Sequence, residues 1–442
     1  MKNEIFTTHD YAAIKQMLAE MNPVDIAEEF EELEDDRASA VKLFRMLAKD
    51  TASDVFAYLS SDMQQNIVTA IKDYEVKNII DDLFLDDAVD FIEEMPAGIV
   101  KRVLRNLPAD KREMINQFLK YPENSAGSIM TIEYIDLKEH LTVGDTFKKI
   151  RAEGVDKETI YTCYVIDAAR HLLGLVTVRT LLLSSPEEEI GDIMERGVIS
   201  AVTTDDKEEL ANDFRKYGLL AMPVVDNENR LVGIVTVDDV MEIQEEEATE
   251  DFEIMAAISP SDEPYLKTSV WALTKNRVLW LMLLMLSATV TGSIISGFED
   301  ALAVLPALVA FIPMLMDTGG NAGAQSSTLI IRGMALEEIE LIDALRVLWK
   351  ELRVSMLCGG ALAAVNFLRI LIMRHTVRLA FTVSLALFAT VILAKTVGCL
   401  LPMGAKKLRL DPAVMASPVI TTIVDAGALL LFFGIAKALL GV

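Results

Sequence analysis

Two carboxylates stand in apolar surroundings that give an acid no ordinary use. Asp425 lies midway along Pro418-Val-Ile-Thr-Thr-Ile-Val-Asp-Ala-Gly427, inside a stretch that is apolar from 415 to 440. Asp317 lies in Pro313-Met-Leu-Met-Asp-Thr-Gly-Gly-Asn321, and with Asn321, Gln325, Ser326 and Ser327 it makes five polar side chains within eleven residues. An ionisable group at bilayer depth costs roughly 2.5–3.5 kcal/mol on insertion scales. Asp425 is too short to reach the interface; a hydrogen bond to a neighbouring Ser or Thr is the structural alternative to a cation site. Lys395 and Lys437, by contrast, are expected near span ends, where long stems carry the charge to water. The Gly319-Gly320-Asn321 run is expected to break its helix, as helices lining a cavity do. Close helix packing would explain the glycines, but not five polar side chains, which favour a water-filled path. Ligands that are all oxygen, with no His or Cys nearby, point to a hard cation such as Mg2+ or Ca2+. Mg2+ keeps most of its water, so one carboxylate per chain suits it, and a dimer would set two copies of Asp425 about a common axis.

A second set of acids is soluble. Asp81, Asp82, Asp86, Asp87, Asp90, Glu93 and Glu94 crowd one short segment, and Asp238 through Glu253 reads as one helix with Glu242, Glu247, Glu250 and Asp251 on it. Like charges four apart weaken a bare helix by a few tenths of a kcal/mol, roughly 0.2–0.5 per pair. Runs of this kind are either solvated faces or surfaces that close only when cations bridge them. The second reading is a sensor: divalent ions neutralise the acids, the domains close up, and the helix leading to the first span is drawn to one position. Its apolar stripe is Val240, Ile243, Ala248, Phe252 and Met255.

The elements that must position these groups follow from charge and hydropathy. The chain has 442 residues, is 52% hydrophobic and has a net charge of −26. Residues 1–266 carry −31 and residues 267–442 carry +5, so an acidic soluble front joins a membrane back. An acidic surface excludes nucleic acid as the main partner. Five stretches are long enough to span a bilayer, near 278–298, 301–331, 354–373, 378–401 and 415–440. Ten basic residues fall on one side (Lys267 to Arg277, Arg332 to Arg353, Lys406 to Arg409) and four on the other (Arg369, Arg374, Arg378, Lys437). That bias places the N-terminus in the cytoplasm. The opening Met1-Lys-Asn-Glu4 is not a signal peptide. Cys163, Cys358 and Cys399 have neither disulfide nor zinc spacing. No Walker loop, nucleophile triad or paired His is present, which argues against an enzyme.

Residues 10–120 carry short amphipathic helices, expected to stack as a superhelix. Residues 165–178 and 224–237 then align at an offset of 59, with seven of fourteen positions identical. Each copy reads as strand, turn, strand, preceded by a helix over 143–153 or 207–217, and Ile129-Met-Thr131 and Ile193-Met-Glu195 recur as openings. The pair resembles CBS motifs, which often bind adenosine nucleotides. In such motifs a Thr and an Asp three residues later hold ribose; Thr236 and Asp239 match, whereas Thr177 is followed by Thr180.

Together these features resemble the MgtE family of magnesium channels and transporters. The motifs are Pro313 to Asn321 with Gln325-Ser326, Tyr121-Pro-Glu-Asn-Ser-Ala-Gly127 leading to Met130-Thr131, and Asp411-Pro-Ala413 followed by Asp425. The resemblance implies an all-α helical superhelix over 1–128, a tandem α/β CBS pair over 129–190 and 191–240, a long connecting helix over 241–266, and a five-helix transmembrane domain over 267–442. It implies a homodimer in the bilayer, a main Mg2+ site at Asp425, another at Asp411, and a contribution from Asn321. Regulatory Mg2+ would be held by Asp86 and Asp90, Asp206 and Glu208, Asp239 and Glu242, and Glu247, Glu250 and Asp251. ATP in the CBS cleft is a further expectation. Gly218 stands at a helix end where some relatives carry an acid, and Asp317 replaces a glycine of some relatives. The function implied is channel-like Mg2+ uptake shut by cytoplasmic Mg2+. The alternatives are a CBS-gated transporter of another divalent cation such as Co2+ or Mn2+, and a non-transporting membrane receptor that senses nucleotide.

Overall fold

A computed structural model describes residues 11–33, 36–261, 265–415 and 417–441, so the opening Met1 to Glu4 lies outside the described residues. The chain forms two compact units, Met1–Gln244 and Glu245–Val442.

Among the described residues, the first unit has nine short helices between Tyr11 and Phe118. From Pro23–Glu31 on, each packs on the next but one: Pro23–Glu31 on Lys49–Ala57, Lys49–Ala57 on Asp73–Asp82, and so on. Helices of 8–10 residues are too short to be stable alone, so a shared core must hold them. Edge-to-face rings run through it, Phe30 to Phe44 to Phe56 to Phe91, with centroids 6.1, 6.2 and 5.2 Å apart. The helix starts carry local signals: Asn22 caps Pro23–Glu31, which opens on Pro23, and Asp36 caps Arg37–Phe44.

Two three-stranded sheets follow, each a parallel pair extended by an antiparallel hairpin. In the first, Ile135–Leu137, Thr162–Ile166 and Leu172–Thr177 join with helix Val143–Glu153; in the second, Ala201–Val202, Ala221–Val225 and Leu231–Thr236 join with helix Lys207–Tyr217. The repeat read from the sequence is therefore a structural repeat. Thr162 faces Thr177 and Ala221 faces Thr236, and both hairpins shift register at the same place, Val165/Ile166 and Val224/Val225. The openings are exchanged: Thr131 of the first copy bridges Ile234 of the second, and Glu195 of the second bridges Leu175 of the first. Gly174 and Gly233 permit this approach, since a Cβ there would lie 2.6 Å from the Glu195 carbonyl and 2.8 Å from that of Thr131. Gly218 ends its helix at φ +64°, a left-handed cap where an acid would be strained.

The helix Val237–Met255 carries Asp238 to Glu253 as one continuous element, but it ends at Met255 and turns at 256–257, which shortens the connecting helix expected over 241–266. Val240 and Ile243 are buried, but Phe252 is 72% exposed, so the apolar stripe is not continuous.

In the second unit five long helices run over Val270–Gly297, Ile312–Ala335, Ala344–Ile372, Val377–Lys407 and Ser417–Leu440. Four of them, all but Ile312–Ala335, are long and apolar enough to cross a membrane, which makes the chain a multi-pass membrane protein. The expected span over 301–331 resolves into a short helix Glu299–Val304, a 3-10 turn Pro306–Phe311 and the helix Ile312–Ala335. That last helix runs unbroken through Gly319-Gly320-Asn321, which corrects the expected interruption. A Cβ on Gly319 would meet Val424 Cγ1 at 2.9 Å, one on Gly320 Thr421 Cγ2 at 2.9 Å, and one on Gly323 Ile420 Cγ2 at 2.7 Å. The glycines thus seat the helix against Ser417–Leu440. That packing, and the cost of unsatisfied backbone groups away from water, outweigh their weak propensity of about 1 kcal/mol each.

Candidate cation sites

In the membrane unit, Asp317, Asn321, Gln325 and Thr328 are spaced by four, four and three residues and all four are exposed. At 3.6 residues per turn that spacing draws one polar stripe down one face of the helix. The other faces are filled: Leu315, Ser326 and Ser327 are buried to 1% or less exposure. Asp425, on Ser417–Leu440, lies within electrostatic reach of Asp317. Its Oδ1 is buried and has no hydrogen-bond partner among the described residues. The Ser or Thr hydrogen bond that would have made that oxygen structural is therefore missing. A carboxylate oxygen left so is costly unless something positive meets it.

Towards the end of the unit where the chain enters, Asp251 is partly buried beside Asp411, Glu250 and Arg332; burial first, and then the charge of Asp411, push its carboxyl up to about 6. Two residues singled out 160 positions apart in the sequence thus come within electrostatic reach of each other. Asp411 is exposed, and one of its oxygens accepts the Ala413 amide at 2.8 Å. Glu250 is exposed and Glu247 half-buried.

Lys395 departs from expectation. It is 6% exposed, held among the helices of the unit rather than at a span end. Its helix runs on to Lys407, twelve residues further, so the ammonium starts about 18 Å from that end at about 1.5 Å per residue. It turns instead to Glu351 at 3.9 Å and to Ser326 Oγ at 3.2 Å. Glu351 is a residue the sequence reading missed: it precedes the span expected over 354–373 and carries no motif.

The first unit gathers a separate acidic cluster. Asp86 is 8% exposed, and burial, then Asp87, Asp239 and Glu158, hold its carboxyl well above the ordinary range. Burial, then Asp239, Glu242, Asp238 and Glu133, push Asp87 up to about 7. Glu158 rises to about 8 through burial, then Asp239 and Asp87, and one of its oxygens is buried without a partner. Asp239 rises to about 6, burial being partly offset by Thr236. Asp90 is drawn the same way, but its side chain is open to solvent, which screens it. The sequence pointed to Asp86, Asp90, Asp239 and Glu242; it missed Glu158, whose place beside them depends on the loop before Thr162–Ile166. Asp206 and Glu208 stand apart and are exposed. Asp206 caps its helix, accepting the Glu208 amide at 2.8 Å. Among the described residues no three His, Cys, Asp or Glu side chains converge to ligate one ion directly. The donor set fits an ion that keeps water between itself and the protein, as Mg2+ does.

At the start of Val237–Met255, Thr236 Oγ1 lies 2.7 Å from Asp239 Oδ2 and 2.5 Å from Asp238 Oδ1. Its single proton serves one carboxylate at a time. In the first copy Thr177 meets Thr180 at 3.0 Å, so the acid is absent there.

Against known proteins, a family model for a divalent cation transporter, MgtE, matches residues 312–435. A model for the MgtE intracellular N domain matches 21–124, and one for the CBS domain matches 190–246. The chain is similar to the magnesium transporter MgtE of Thermus thermophilus, with 35% identity over 435 residues, 98% of this chain and 96% of that protein. It is 33% identical over 424 residues to that of Bacillus subtilis, 96% of this chain and 93% of that one. Among solved structures it is similar to the cytosolic domain of the Mg2+ channel MgtE in complex with ATP (31% identity, TM-score 0.52, 55% of this chain and 98% of that one). The soluble part of a magnesium transporter also matches, at 26% identity and TM-score 0.51, over 54% of this chain and 93% of that one.

Proposed function

The chain belongs to the MgtE family of divalent cation transporters, and we propose that it carries Mg2+ across a membrane by a channel-like path that cytoplasmic Mg2+ shuts. The family is one of transporters, not enzymes. The observation that carries the reading is the exposed stripe Asp317, Asn321, Gln325, Thr328 beside the unpartnered Asp425 oxygen. Facing lipid, those groups would each be unfavourable; facing a second copy of the chain, two stripes would enclose a polar path. A homodimer follows from that argument. Asp425 and Asp317 would attract the ion, Asn321 would hold its water shell, and Asp411 would act near the cytoplasmic mouth. The N-terminus is cytoplasmic in this reading, in the cell (inner) membrane, on the ten-to-four bias of basic residues. The domains run 1–128, 129–190, 191–240, 241–266 and 267–442.

Regulation rests on the acids. Asp86, Asp90, Asp239 and Glu242 would bind Mg2+ in the closed form, with Asp206 and Glu208 as a separate pair, and Glu247, Glu250 and Asp251 on the connecting helix. Ions shift the gate only by their preference for the closed state. Thr236 and Asp239 would hold the ribose of ATP, as the ATP complex of a similar cytosolic domain supports.

The test is flux in vesicles of purified protein. Wild type should admit Mg2+, with inhibition as Mg2+ rises on the cytoplasmic face, and Asp425→Ala should pass none. Undiminished flux through that variant would remove Asp425 from the path. A preference for Co2+ or Mn2+ over Mg2+ would reassign the cargo.

A further inference from the structure

Behind the polar stripe, a buried ion pair ties three helices together. Glu351 on Ala344–Ile372 and Lys395 on Val377–Lys407 have side chains 12% and 8% exposed, with charged atoms 3.9 Å apart. Ser326 on Ile312–Ala335 lies between them, donating to Glu351 Oε2 at 2.6 Å and accepting from Lys395 Nζ at 3.2 Å. Ser326 is nine residues from Asp317, about 180° round the helix at about 100° per residue. The pair therefore grips the face opposite the stripe.

That grip answers a specific need. The helix seats closely through Gly319, Gly320 and Gly323, but these are contacts of shape alone, with no side-chain bond of fixed direction. Apolar side chains would fill the space at 326, 351 and 395 about as favourably as a buried ion pair, but their contacts have no direction. A hydroxyl between an ammonium and a carboxylate has one geometry. We propose that Lys395 and Glu351 are positioning residues for conduction: through Ser326 they fix the rotation of the Ile312–Ala335 helix, so that Asp317, Asn321 and Gln325 face the ion path and select the cation that passes. A turn by one residue, about 100°, would swing Asn321 off the path.

The proposal rests on the transport reading, and the experiment separates the two. Wild type, Lys395→Met, Glu351→Gln, the double variant Lys395→Met/Glu351→Leu and the reversed pair Lys395→Glu/Glu351→Lys are placed in vesicles, with folded dimer measured by size exclusion. Mg2+ and Ca2+ fluxes are measured for each. The single variants leave one buried charge alone and should lose folded protein or flux. The apolar double variant should assemble as wild type does while its Mg2+ to Ca2+ flux ratio falls at least fivefold, and the reversed pair should regain part of that ratio. An assembled double variant with the wild-type ratio overturns the proposal. If neither double variant assembles, the pair serves folding and the proposal also falls. Absence of Mg2+ flux in wild type would instead defeat the transport reading itself.

Discussion

Replacing Asp87 by Asn should stabilise the protein in Mg2+-free buffer at pH 8. The wild-type carboxyl is pushed from 3.8 to about 7 by burial and by Asp239, Glu242, Asp238 and Glu133. A native value above the unfolded one means the folded state holds the proton longer. Stability is thus full below about pH 4 and declines as pH rises towards the native value near 7. At about 1.4 kcal/mol per pH unit, the distance from 3.8 to about 7 bounds the effect at about 4 kcal/mol. The neighbouring carboxylates share that repulsion and titrate together, so removing one charge should recover about 1–2 kcal/mol. For a unit of this size, Met1–Gln244, that is about 3–6 °C in melting temperature. The assay is thermal unfolding of the full chain in detergent, with EDTA or Mg2+, from pH 4 to 8. Wild type and variant should converge near pH 4 and separate by pH 8. Saturating Mg2+ stabilises whatever binds it, by about 2.7 kcal/mol at a hundred times Kd, and Asp87→Asn should gain less than wild type. A variant that melts at or below wild type at pH 8 in EDTA would show that these acids do not repel one another as the cluster requires.

Three further outcomes follow. The Mg2+ concentration that half-inhibits flux should fall severalfold from pH 6 to pH 8, since Asp87 and Glu158 lose protons near 7 and 8; a flat profile in vesicle assays would separate gating from this cluster. Gly323→Val should destabilise the membrane unit by about 1–3 kcal/mol, because its Cβ meets Ile420 Cγ2 at 2.7 Å; wild-type amounts of folded protein in detergent would contradict the tight seat. Thr236→Val should weaken ATP binding about tenfold, a loss of about 1.4 kcal/mol, while Thr177→Val should not, as read by titration calorimetry; equal losses would move the nucleotide out of the second copy.

The repeat, the connecting helix and the existence of the membrane unit were legible because each rests on local pattern: identity at a fixed offset, apolar periodicity, and length. The helices 143–153 and 207–217 match the structure residue for residue. What escaped depends on tertiary contact. Gly319 and Gly320 read as breakers in isolation, yet the facing Val424 and Thr421 turn them into contact points. Lys395 reads as a span-end residue if the span ends at 401, but its helix continues to Lys407. Glu158 has no motif of its own; only the fold brings it to Asp86 and Asp239. The electrostatic approach of Asp411 to Asp251 likewise has no local sign.

The crossed openings of the CBS pair have a consequence for how that region comes apart. Since Thr131 is hydrogen-bonded into the second hairpin and Glu195 into the first, neither half can melt and leave the other whole. Amides in both hairpins should therefore be protected from deuterium exchange by one common opening free energy, and a nucleotide bound to the second half alone should raise that protection in the first as well.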